Sequence, residues 1–391
     1  MTALILSHSP DFVVTSFPTL GILGGGQLGK MMAAEAVRLG IDVRLLSPKD
    51  AGPMQAYAHA TTADWTNPDI LRDFAAGCTA VTVESEWAPA DVLAPVCPED
   101  TALWPSPQTL GWIRHKGVQN DRLAAHDLPL PPYRHCATPD EVRAAGEALG
   151  WPLMLKQYEG SYDGYGNRLV ERPDEVDEAW NDLAAEDGVL AEQCIDFVRE
   201  LAVQIARRPD GTSVAYPVVH TEQRNHRCHA VVAPAPVADD LAEEAQAVAR
   251  DAIDAVEGVG LLAVELFETR DGEILVNEIA PRPHNTGHYT IEGCITSQFE
   301  NHVRAVLDLP LGATDLVAPH AVMVNVLGQR EGIPPRADGW QQALQVPGAH
   351  VHIYGKPEVR PHRKMGHVTA LGATAKAART TAETAAERIT L

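Results

Sequence analysis

The hydrophobic pattern of the chain predicts two kinds of strand arrangement. In the first, strands alternate with helices. Residues 19–24 (TLGILG) predict a short buried strand, and a glycine-rich turn joins it to the amphipathic helix pattern of residues 29–40 (GKMMAAEAVRLG). Further apolar runs at 41–48 (IDVRLLSP) and 80–85 (AVTVES) predict two more strands. Strands that alternate with helices predict a parallel sheet with helices on its faces.

The second kind of pattern, strands joined by hairpins, begins near residue 152. Residues 152–158 (PLMLKQY) predict a strand that leads into the glycine-rich loop EGSYDGYGN and returns as RLVERP, so we expect a hairpin. Residues 261–269 (LLAVELFET) and 273–281 (EILVNEIAP) predict a second hairpin around Asp271-Gly272. Helices are predicted at 111–127, 139–149, 239–256 and 295–309.

Composition and charge narrow the class of protein. The 391 residues predict roughly two to three domains, and proline and turn residues at 103–110 indicate a boundary. A net charge of −22 argues against broad binding of nucleic acid or anionic membranes, and no apolar run is long enough for a membrane span. The six cysteines form no C-x-x-C pair and predict reduced thiols in a cytoplasmic protein. Residues 1–17 lack a signal-peptide layout and are expected to be a loose extension.

The glycine-rich turn at residues 24–29 (GGGQLG) formally satisfies the G-x-G-x-x-G dinucleotide pattern. The second strand ends without the acid that this pattern needs for a ribose, and Met31 stands where a P-loop needs Ser or Thr. A glycine turn at a helix N-terminus can still hold a phosphate or a carboxylate. The alternative is a tight turn needed only for packing the helix on the sheet.

Carboxylates interrupt apolar strands at two places. Glu84 and Glu86 close a strand at its carboxyl end, where open α/β sheets bind ligands. The alternative is that both carboxylates are simply solvated. Glu265 and Glu278 lie in the two strands of the second hairpin. Because a carboxylate in an apolar strand costs free energy unless it is paired or bound to metal, this pair predicts a hard cation such as Mg²⁺. A strand face open to water is the alternative.

Two further features favour phosphate and nucleotide chemistry. Lys156 ends a strand just before a loop punctuated by glycines, a common way to cover phosphates, although an ordinary flexible hairpin has the same pattern. Glu192-Gln193 and Glu200 flank a predicted strand edge, where main-chain groups can bind adenine and a carboxylate can bind ribose hydroxyls. A basic cluster near the C-terminus predicts a phosphate site or a surface charge patch; its members are Arg360, Arg363, Lys364 and His367.

On these residues the chain resembles the ATP-grasp ligases, and within them the 5-(carboxyamino)imidazole ribonucleotide synthases of purine biosynthesis. The resemblance extends from about residue 19 to 371, and its most specific stretches are NEIAPRPHNTGHYT and RKMGH, supported by GILGGGQLGKMM, SYDGYGN and RELAV. It implies a three-domain α/β architecture. An N-terminal Rossmann-like parallel sheet would span 1–110, an ATP-grasp domain 111–309 with a lid at roughly 130–197, and a small β-rich C-terminal domain 310–391.

The resemblance also implies ATP as co-substrate and Mg²⁺, replaceable by Mn²⁺, on Glu265 and Glu278. Lys156 would touch the α-phosphate side, the loop from Ser161 would close over the other phosphates, and the segment from Glu192 would hold adenine. The implied ATP-binding residues are Lys116, Lys156, Ser161, Tyr162, Asp163, Gly164, Tyr165, Gly166, Asn167, Glu192, Gln193, Cys194, Ile195, Glu200, Gln223, Asn277 and Glu278.

The second substrate implied by the resemblance is 5-aminoimidazole ribonucleotide, carboxylated with bicarbonate by way of carboxyphosphate. A cytoplasmic homodimer that binds small molecules, and neither nucleic acid nor membrane, is expected. The residues implied for the reacting groups are Tyr162, Asp163, Arg282, His284 and Lys364. Those implied for further substrate contacts are Gln27, Leu28, Glu84, Asn285, Lys356 and Arg363.

The chain departs from the family pattern mainly on the ATP side. Lys116 stands where the family has a nucleotide-contacting arginine, Tyr165 where it has a basic residue, Gln223 where it has a histidine, and Trp87 where it has an asparagine. Each change at the nucleotide removes charge or hydrogen-bond donors. Two alternatives therefore stay open: a formate-using ATP-grasp transformylase of the same pathway, and a nucleotide-binding paralogue with weakened catalysis.

Overall fold

The N-terminal part of the chain forms the predicted parallel sheet. The structure is a computed structural model that describes residues 17–49, 57–160, 165–224, 227–332 and 339–391. All strand pairs in this sheet are parallel, in the order β3-β2-β1-β4-β5. The strands are β1 (Thr19–Leu23), β2 (Asp42–Ser47), β3 (His59–Thr62), β4 (Ala80–Val83) and β5 (Ala102–Leu103). The helices are α1 (Gln27–Arg38), α2 (Pro68–Ala75) and α3 (Ala90–Leu93), followed by a 3₁₀ turn at Ala94–Val96.

Helix α1 packs on the sheet through the apolar stripe that the sequence predicts. Leu28 and Met32, one turn apart, are buried with Leu20 and Ile22 of β1 in a single apolar cluster. This packing brings the N-terminus of α1 to the carboxyl ends of β1 and β4. That edge of the sheet is the one predicted to face a ligand.

The connection to the next domain is two helices rather than the one predicted over 111–127. The helices are α4 (Pro107–Arg114) and α5 (Lys116–Ala124), and His115 between them has an extended backbone. The His115 ring caps α5 by accepting a hydrogen bond from the main-chain N–H of Val118. The N–H of Lys116 donates to the carbonyl of Tyr158 at 2.8 Å. This break places Lys116 next to the strand that contains Lys156.

The segment predicted as a lid forms a separate antiparallel sheet with the order β6-β9-β7-β8. Its strands are β6 (Tyr133–Cys136), β7 (Leu153–Gln157), β8 (Asn167–Val170) and β9 (Val189–Gln193). Helices α6 (Pro139–Leu149) and α7 (Val176–Asp182) cover one face, and a 3₁₀ turn at Pro173–Glu175 precedes α7. The β7–β8 hairpin is the one predicted around the glycine-rich loop.

The largest sheet contains the second predicted hairpin and is antiparallel throughout. Its order is β15-β14-β10-β12-β13-β16-β18-β17, with β11 beside β10. The strands are β10 (Phe197–Arg207), β11 (Ser213–Ala215), β12 (Val219–Arg224), β13 (Arg227–Ala233), β14 (Gly260–Thr269), β15 (Ile274–Ala280), β16 (His320–Leu327), β17 (Ala349–Ile353) and β18 (Lys364–Gly372). The helices are α8 (Asp239–Ala255), α9 (Thr290–Gly293), α10 (Gln298–Val306), α11 (Trp340–Leu344) and α12 (Ala375–Ala386), with a 3₁₀ turn at Asn285–Gly287.

The C-terminal strands therefore extend the central sheet instead of forming a sheet of their own. Strand β16 pairs antiparallel with β13 from Ala230↔Val324 to Ala233↔Ala321. The start of β18, where Lys364 lies, is near enough to the β14–β15 hairpin for the charge of Lys364 to act on Glu265. None of the helices in the described ranges is long and apolar enough to cross a membrane.

A buried histidine fastens the N-terminal sheet to the central sheet. The Nδ1 atom of His302 accepts a hydrogen bond from the N–H of Leu261 at 3.0 Å, and its Nε2 lies 2.9 Å from the hydroxyl of Thr82 in β4. Because Nδ1 is an acceptor, Nε2 carries the proton and donates to Thr82. Burial lowers the pKa of His302 to about 3, so the ring is neutral. The contact sets the carboxyl end of β4 against the β14–β15 hairpin.

Candidate active site

Glu265 and Glu278 face each other across the β14–β15 hairpin. They are direct partners in the strand register, and the register shifts immediately after Glu265. Burial and the nearby charges of Glu278 and Glu200 raise the pKa of Glu265. Burial raises the pKa of Glu278, but the Lys116 ammonium at 2.6 Å, together with the charges of Lys156 and His284, outweighs it, so the net shift is downward. The hairpin thus brings two carboxylates together among the positive charges of Lys116, Lys156 and Lys364.

These two carboxylates could supply oxygen ligands to a divalent cation. Within the described ranges no cluster of three or more Asp, Glu, His or Cys side chains could hold a metal by itself. A pair of carboxylates matches a hard ion that takes its other ligands from phosphate oxygens and water. The adjacent amide oxygen of Asn277 accepts a hydrogen bond from Lys156 at 3.1 Å.

Lys156 is the buried centre of a polar network between the lid and the central sheet. Its ammonium lies 2.6 Å from a carboxylate oxygen of Glu192, and the other oxygen of Glu192 accepts from the amide of Asn120 at 3.0 Å. All three side chains are buried. The Glu192 side chain is therefore held by protein groups, and the segment that follows it provides the main chain predicted to meet adenine.

The prediction that Glu192 and Gln193 lie at a strand edge is wrong. Strand β9 is paired on both sides, with β6 at Tyr133↔Glu192 and with β7 at Leu153↔Gln193. The N–H of Gln193 also donates to the carbonyl of Pro132 at 2.8 Å. Strand β6 was not predicted, because its four residues show no apolar alternation, and it covers the edge. The chain leaves the sheet only after Gln193, at Cys194 and Ile195.

Two residues predicted for ATP meet on neighbouring strands of the central sheet. The amide of Gln223 in β12 donates to Glu200 in β10 at 2.7 Å. Glu200 also contributes to the raised pKa of Glu265. Glu200, Gln223 and the Glu265–Glu278 pair therefore belong to one site.

The loop after β7 is described only in part. Predicted residues Ser161, Tyr162, Asp163 and Gly164 lie outside the described residues. Tyr165 is 59% exposed, and the carbonyl of Gly166 accepts from the N–H of Gln157 at 2.8 Å. Asn167 is the register partner of Lys156. The described end of the loop is thus fixed beside Lys156.

At the N-terminal sheet, the anion in the glycine turn is the chain's own Glu84. Its two carboxylate oxygens accept from the N–H groups of Gly26 at 2.6 Å and Gly29 at 3.0 Å. These donors are at the N-terminus of α1, the position predicted to hold a phosphate or carboxylate. Burial raises the pKa of Glu84 despite these bonds. Leu28, a predicted substrate residue, has its side chain in the apolar core beside this turn, and Gln27 begins the helix.

Gly24→Ala is expected to destabilise the fold by displacing Glu84. Gly24 has φ +114°, and a methyl group there would overlap the Glu84 side chain. Gly272→Ala is the matched control, since Gly272 also has positive φ (+80°) but nothing within 4 Å of an added methyl group. Urea denaturation should show a loss about 1–3 kcal/mol larger for Gly24→Ala than for the control. Equal losses would mean that only backbone strain matters.

Arg282 and Glu86 form a partly buried bidentate ion pair near Glu84, with side chains 19% and 17% exposed. The Nε atom of Arg282 lies 2.7 Å from one Glu86 oxygen, and an η-nitrogen lies 3.2 Å from the other. Burial raises the pKa of Glu86, but the charge and hydrogen bonds of Arg282, together with the charge of Lys116, outweigh it, so the net shift is downward. The pair joins the strand ends of the N-terminal sheet to the segment after β15.

The predicted basic cluster divides into two parts. The charge of Lys364 opposes the net rise in the pKa of Glu265. The main-chain carbonyl of Lys364 accepts a hydrogen bond from the Lys356 ammonium at 2.7 Å. The Arg363 guanidinium donates a hydrogen bond to the carbonyl of Glu358 at 2.9 Å. His367 is not a cation of this cluster, because burial lowers its pKa well below the usual range. Its ring lies 3.0 Å from the Tyr354 hydroxyl.

His284 lies beside Glu265, in the segment that follows β15. Its Nδ1 atom is 2.9 Å from the hydroxyl of Thr286 and 3.6 Å from Glu265. The side chain of Asn285 turns away into a reciprocal amide pair with Asn325, at 2.9 and 2.8 Å. Asn285, predicted to contact substrate, is thus engaged within the protein.

Sequence reasoning missed three buried polar residues around His284, namely Gln204, Thr286 and Gln298. Gln204 and Gln298 have fully buried side chains and Thr286 is almost fully buried. A detectable signal exists for Gln204, which interrupts the apolar strand ELAVQIARR with an uncharged polar group. Such a residue must find a hydrogen-bond partner when the strand is buried.

Comparison with known proteins identifies the family of this chain. Family models match the ribonucleotide synthetase preATP-grasp domain at residues 17–114, the ATP-grasp domain at 121–299 and the phosphoribosylaminoimidazole carboxylase C-terminal domain at 321–381. The N5-carboxyaminoimidazole ribonucleotide synthase of Mycobacterium tuberculosis is 42% identical over 379 residues, covering 95% of this chain and 88% of that protein.

Solved structures match over almost the whole chain. The N5-carboxyaminoimidazole ribonucleotide synthetase of Thermotoga maritima aligns with a TM-score of 0.85 and 36% identity over 96% of this chain and 99% of that one. The enzyme of Aspergillus clavatus, in complex with ADP and 5-aminoimidazole ribonucleotide, aligns with a TM-score of 0.86 and 35% identity over 95% and 98%. The predicted α/β fold is confirmed, and the chain belongs to the N5-carboxyaminoimidazole ribonucleotide synthase family of ATP-grasp enzymes.

Proposed function

We infer that this chain uses ATP to carboxylate 5-aminoimidazole ribonucleotide, giving N5-carboxyaminoimidazole ribonucleotide, ADP and phosphate in purine biosynthesis. The inference depends on the β14–β15 hairpin, where residues suited to phosphoryl transfer meet residues suited to binding a carboxyl group. Glu265 and Glu278 lie there with Lys156 on one side, and with Arg282 and His284 on the other. A site that transfers a phosphoryl group and then a carboxyl group needs both kinds of residue within one enclosure.

The nucleotide would lie between the lid and the central sheet. Lys156 would neutralise phosphate charge, and the main chain of Gln193 to Ile195 would bind adenine. Glu200, held by Gln223 at 2.7 Å, would accept hydrogen bonds from the ribose hydroxyls. Lys116 would remain near the phosphates, since it already pairs with Glu278 at 2.6 Å. The loop from Ser161 to Asn167 would cover the β- and γ-phosphates.

Glu265 and Glu278 would hold Mg²⁺, with Asn277 beside them. The raised pKa of Glu265 supports this, because a bound cation would compensate a carboxylate that burial and Glu278 otherwise disfavour. When bound, the ion would neutralise charge on the phosphates during transfer. Lys116 would then share Glu278 with the ion.

The carboxylation would proceed in two steps. An oxygen of bicarbonate attacks the γ-phosphorus of ATP and ADP leaves, which gives carboxyphosphate. The exocyclic amine of the ribonucleotide then bonds to the carboxyl carbon, directly or after CO₂ is released, while phosphate departs and the amine loses a proton. Arg282, His284 and Lys364 would line this second region, with Arg363 and Lys356 toward the ribonucleotide phosphate. Exclusion of water would protect the carboxyphosphate from hydrolysis.

ADP release is expected to require bicarbonate and to rise when 5-aminoimidazole ribonucleotide is added. The measurement is a coupled ADP assay in CO₂-free buffer, with bicarbonate, formate and the ribonucleotide added separately and together. Product identity is checked by incorporation of labelled bicarbonate. Turnover with formate and glycinamide ribonucleotide, but without bicarbonate, would instead indicate a transformylase. ATP binding without turnover under any of these conditions would indicate a catalytically weakened paralogue.

A further inference from the structure

Helix α10 begins with a glutamine whose side chain binds the main chain of His284. Gln298 is the first residue of α10, directly after the cap Ser297, and its own N–H donates to the hydroxyl of Thr290 at 2.9 Å. The fully buried Gln298 side chain accepts from the N–H of His284 at 3.0 Å and donates to the carbonyl of His284 at 2.7 Å. One side chain thus binds both main-chain polar groups of one residue, as a neighbouring strand would.

His284 needs such a partner because it lies between two regular elements. Strand β15 ends at Ala280 and the 3₁₀ turn begins at Asn285, while His284 itself is extended, with φ −120° and ψ 156°. A partly buried main-chain group outside a sheet must bond elsewhere, since leaving it unsatisfied costs free energy. The His284 carbonyl also accepts from the N–H of Gly287 at 3.0 Å. Gln298 is therefore the acceptor for the His284 N–H and a second donor to its carbonyl.

The orientation of the Gln298 amide follows from these bonds. A main-chain N–H only donates and a carbonyl only accepts, so a reversed amide would place like groups against each other. The amide nitrogen also lies 3.0 Å from Nδ1 of His288. In the described structure the hydrogen bonds of Gln298 go to His284, His288 and Thr290, and none of these residues is proposed to bind ATP.

Gly287 leaves the space that the Gln298 amide occupies. A methyl group on Gly287 would overlap the side-chain oxygen of Gln298 and come within 2.9 Å of Cγ of Gln204. The φ angle of Gly287 lies outside the left-handed region, so alanine there would displace the amide without straining the backbone. Contact between α10 and the His284 segment therefore depends on both residues.

The segment held by Gln298 also carries Arg282. Glu86 fixes the Arg282 guanidinium through bonds of 2.7 and 3.2 Å, and Gln298 fixes the main chain two residues later. Pro283 stands between them, and its ring restricts φ. The segment is thus held at one end from the N-terminal sheet and at the other end from α10.

We propose that Gln298 is a positioning residue that holds Arg282 and His284 where they capture the carboxyl group being transferred, and that it thereby couples ADP release to carboxylation. This role rests on the proposed function. Carboxyphosphate that is not captured breaks down to CO₂ and phosphate, so a loosened segment consumes ATP without forming product. Capture is sensitive to placement because the amine and the carboxyl carbon must be held in contact and in the correct orientation.

Gln298→Met tests this role, because it keeps the length of the side chain and removes its hydrogen bonds. With all substrates saturating, we expect kcat for carboxylation to fall about tenfold or more, and ADP released per carboxylated product to rise about threefold or more. KM for ATP should stay within about twofold of the wild type. The coupled ADP assay and labelled bicarbonate measure both rates in one sample. An unchanged ratio of ADP to product would overturn the proposal.

Gly287→Ala reaches the same contact by a different route. It leaves the Gln298 amide in the chain but pushes its oxygen away from the N–H of His284, so the ratio of ADP to product should rise here too. If Gln298→Met does not fold, this variant decides the question. A normal ratio in folded Gly287→Ala would then refute the role of Gln298.

Asn301 provides a matched control on the same helix. Its fully buried side chain accepts from the N–H of Gly312 at 2.7 Å and donates to the carbonyl of Gly312 at 3.2 Å. This is the same kind of amide contact, made to a residue outside the proposed site. Asn301→Leu should lower the melting temperature as Gln298→Met does, with the ratio of ADP to product unchanged. A similar rise in the control would show that general loosening of α10 uncouples the reaction, and would refute a specific role for Gln298.

The wild type distinguishes failure of this inference from failure of the proposed function. If the wild type incorporates no labelled bicarbonate in the presence of ATP and the ribonucleotide, the proposed function is wrong and the role of Gln298 is wrong with it. If the wild type carboxylates and neither Gln298→Met nor Gly287→Ala changes the ratio, only the role of Gln298 is wrong.

Discussion

Glu278→Gln is expected to abolish carboxylation, and Glu265→Gln to lower it strongly, even at saturating Mg²⁺. Each glutamine keeps the shape of the side chain but removes one of the two anionic ligands proposed for the cation. A metal ion contributes several kcal/mol of charge stabilisation to phosphoryl transfer, so a loss of kcat of about 10³-fold or more is expected for Glu278→Gln. Steady-state ADP release with Mg²⁺ varied in the millimolar range measures both variants.

The stability of these two variants should change in opposite directions. Glu265→Gln removes the like charge facing Glu278, so the unliganded protein should melt at a higher temperature. Glu278→Gln leaves the buried ammonium of Lys116 without its carboxylate at 2.6 Å and should melt at a lower temperature. A folded, more stable and inactive Glu265→Gln would separate chemistry from folding. Such trade-offs are typical of charged active sites.

Glu268→Gln is the control for both variants. Glu268 lies in the same strand, β14, and pairs with Arg199 at 3.1 Å instead of facing Glu278. Its activity should stay within about twofold of the wild type. Near-normal rates for both Glu265→Gln and Glu278→Gln would show that the cation is held elsewhere. Equal losses in all three would point to general damage to the hairpin.

Arg282→Met is expected to cost about 1.5–3 kcal/mol of folding free energy, because it leaves the partly buried Glu86 carboxylate without its bidentate partner. The double variant Glu86→Gln/Arg282→Met should recover most of this loss, since neither charge is then buried alone. It should still fail to carboxylate the ribonucleotide if Arg282 also contacts substrate. Urea denaturation and the ADP assay together separate these two contributions.

A surface ion pair gives the matched control for the Arg282 variants. Arg143 lies 2.8 Å from Asp140, whose side chain is 93% exposed, and 2.6 Å from Asp177, which is 67% exposed. Arg143→Met should therefore cost no more than about 1 kcal/mol. A similar small cost for Arg282→Met would mean that water reaches Glu86 in the folded protein. No recovery in the double variant would mean that Arg282 stabilises the fold by packing rather than by charge.

Local patterns were sufficient to predict the elements whose partners are close in sequence. The β1–turn–α1 unit and the β7–β8 and β14–β15 hairpins follow from side-chain periodicity and turn residues alone. The hairpin register in turn makes Glu265 and Glu278 neighbours, so the proposed cation site is predictable from the sequence alone. The break between α4 and α5 was missed because it depends on His115 capping the second helix.

The sequence by itself thus determined the classes of element, the hairpins and the chemistry they concentrate, and the resemblance carried by NEIAPRPHNTGHYT and RKMGH led to the correct family. Only the tertiary structure decided which atoms occupy each site. It placed Glu84 in the glycine turn, buried His367 as a neutral ring, and covered the edge of β9 with β6. These outcomes depend on contacts between segments far apart in the chain. A residue's own neighbours in sequence do not encode what covers it, because burial and pairing are set by whichever distant surface packs there.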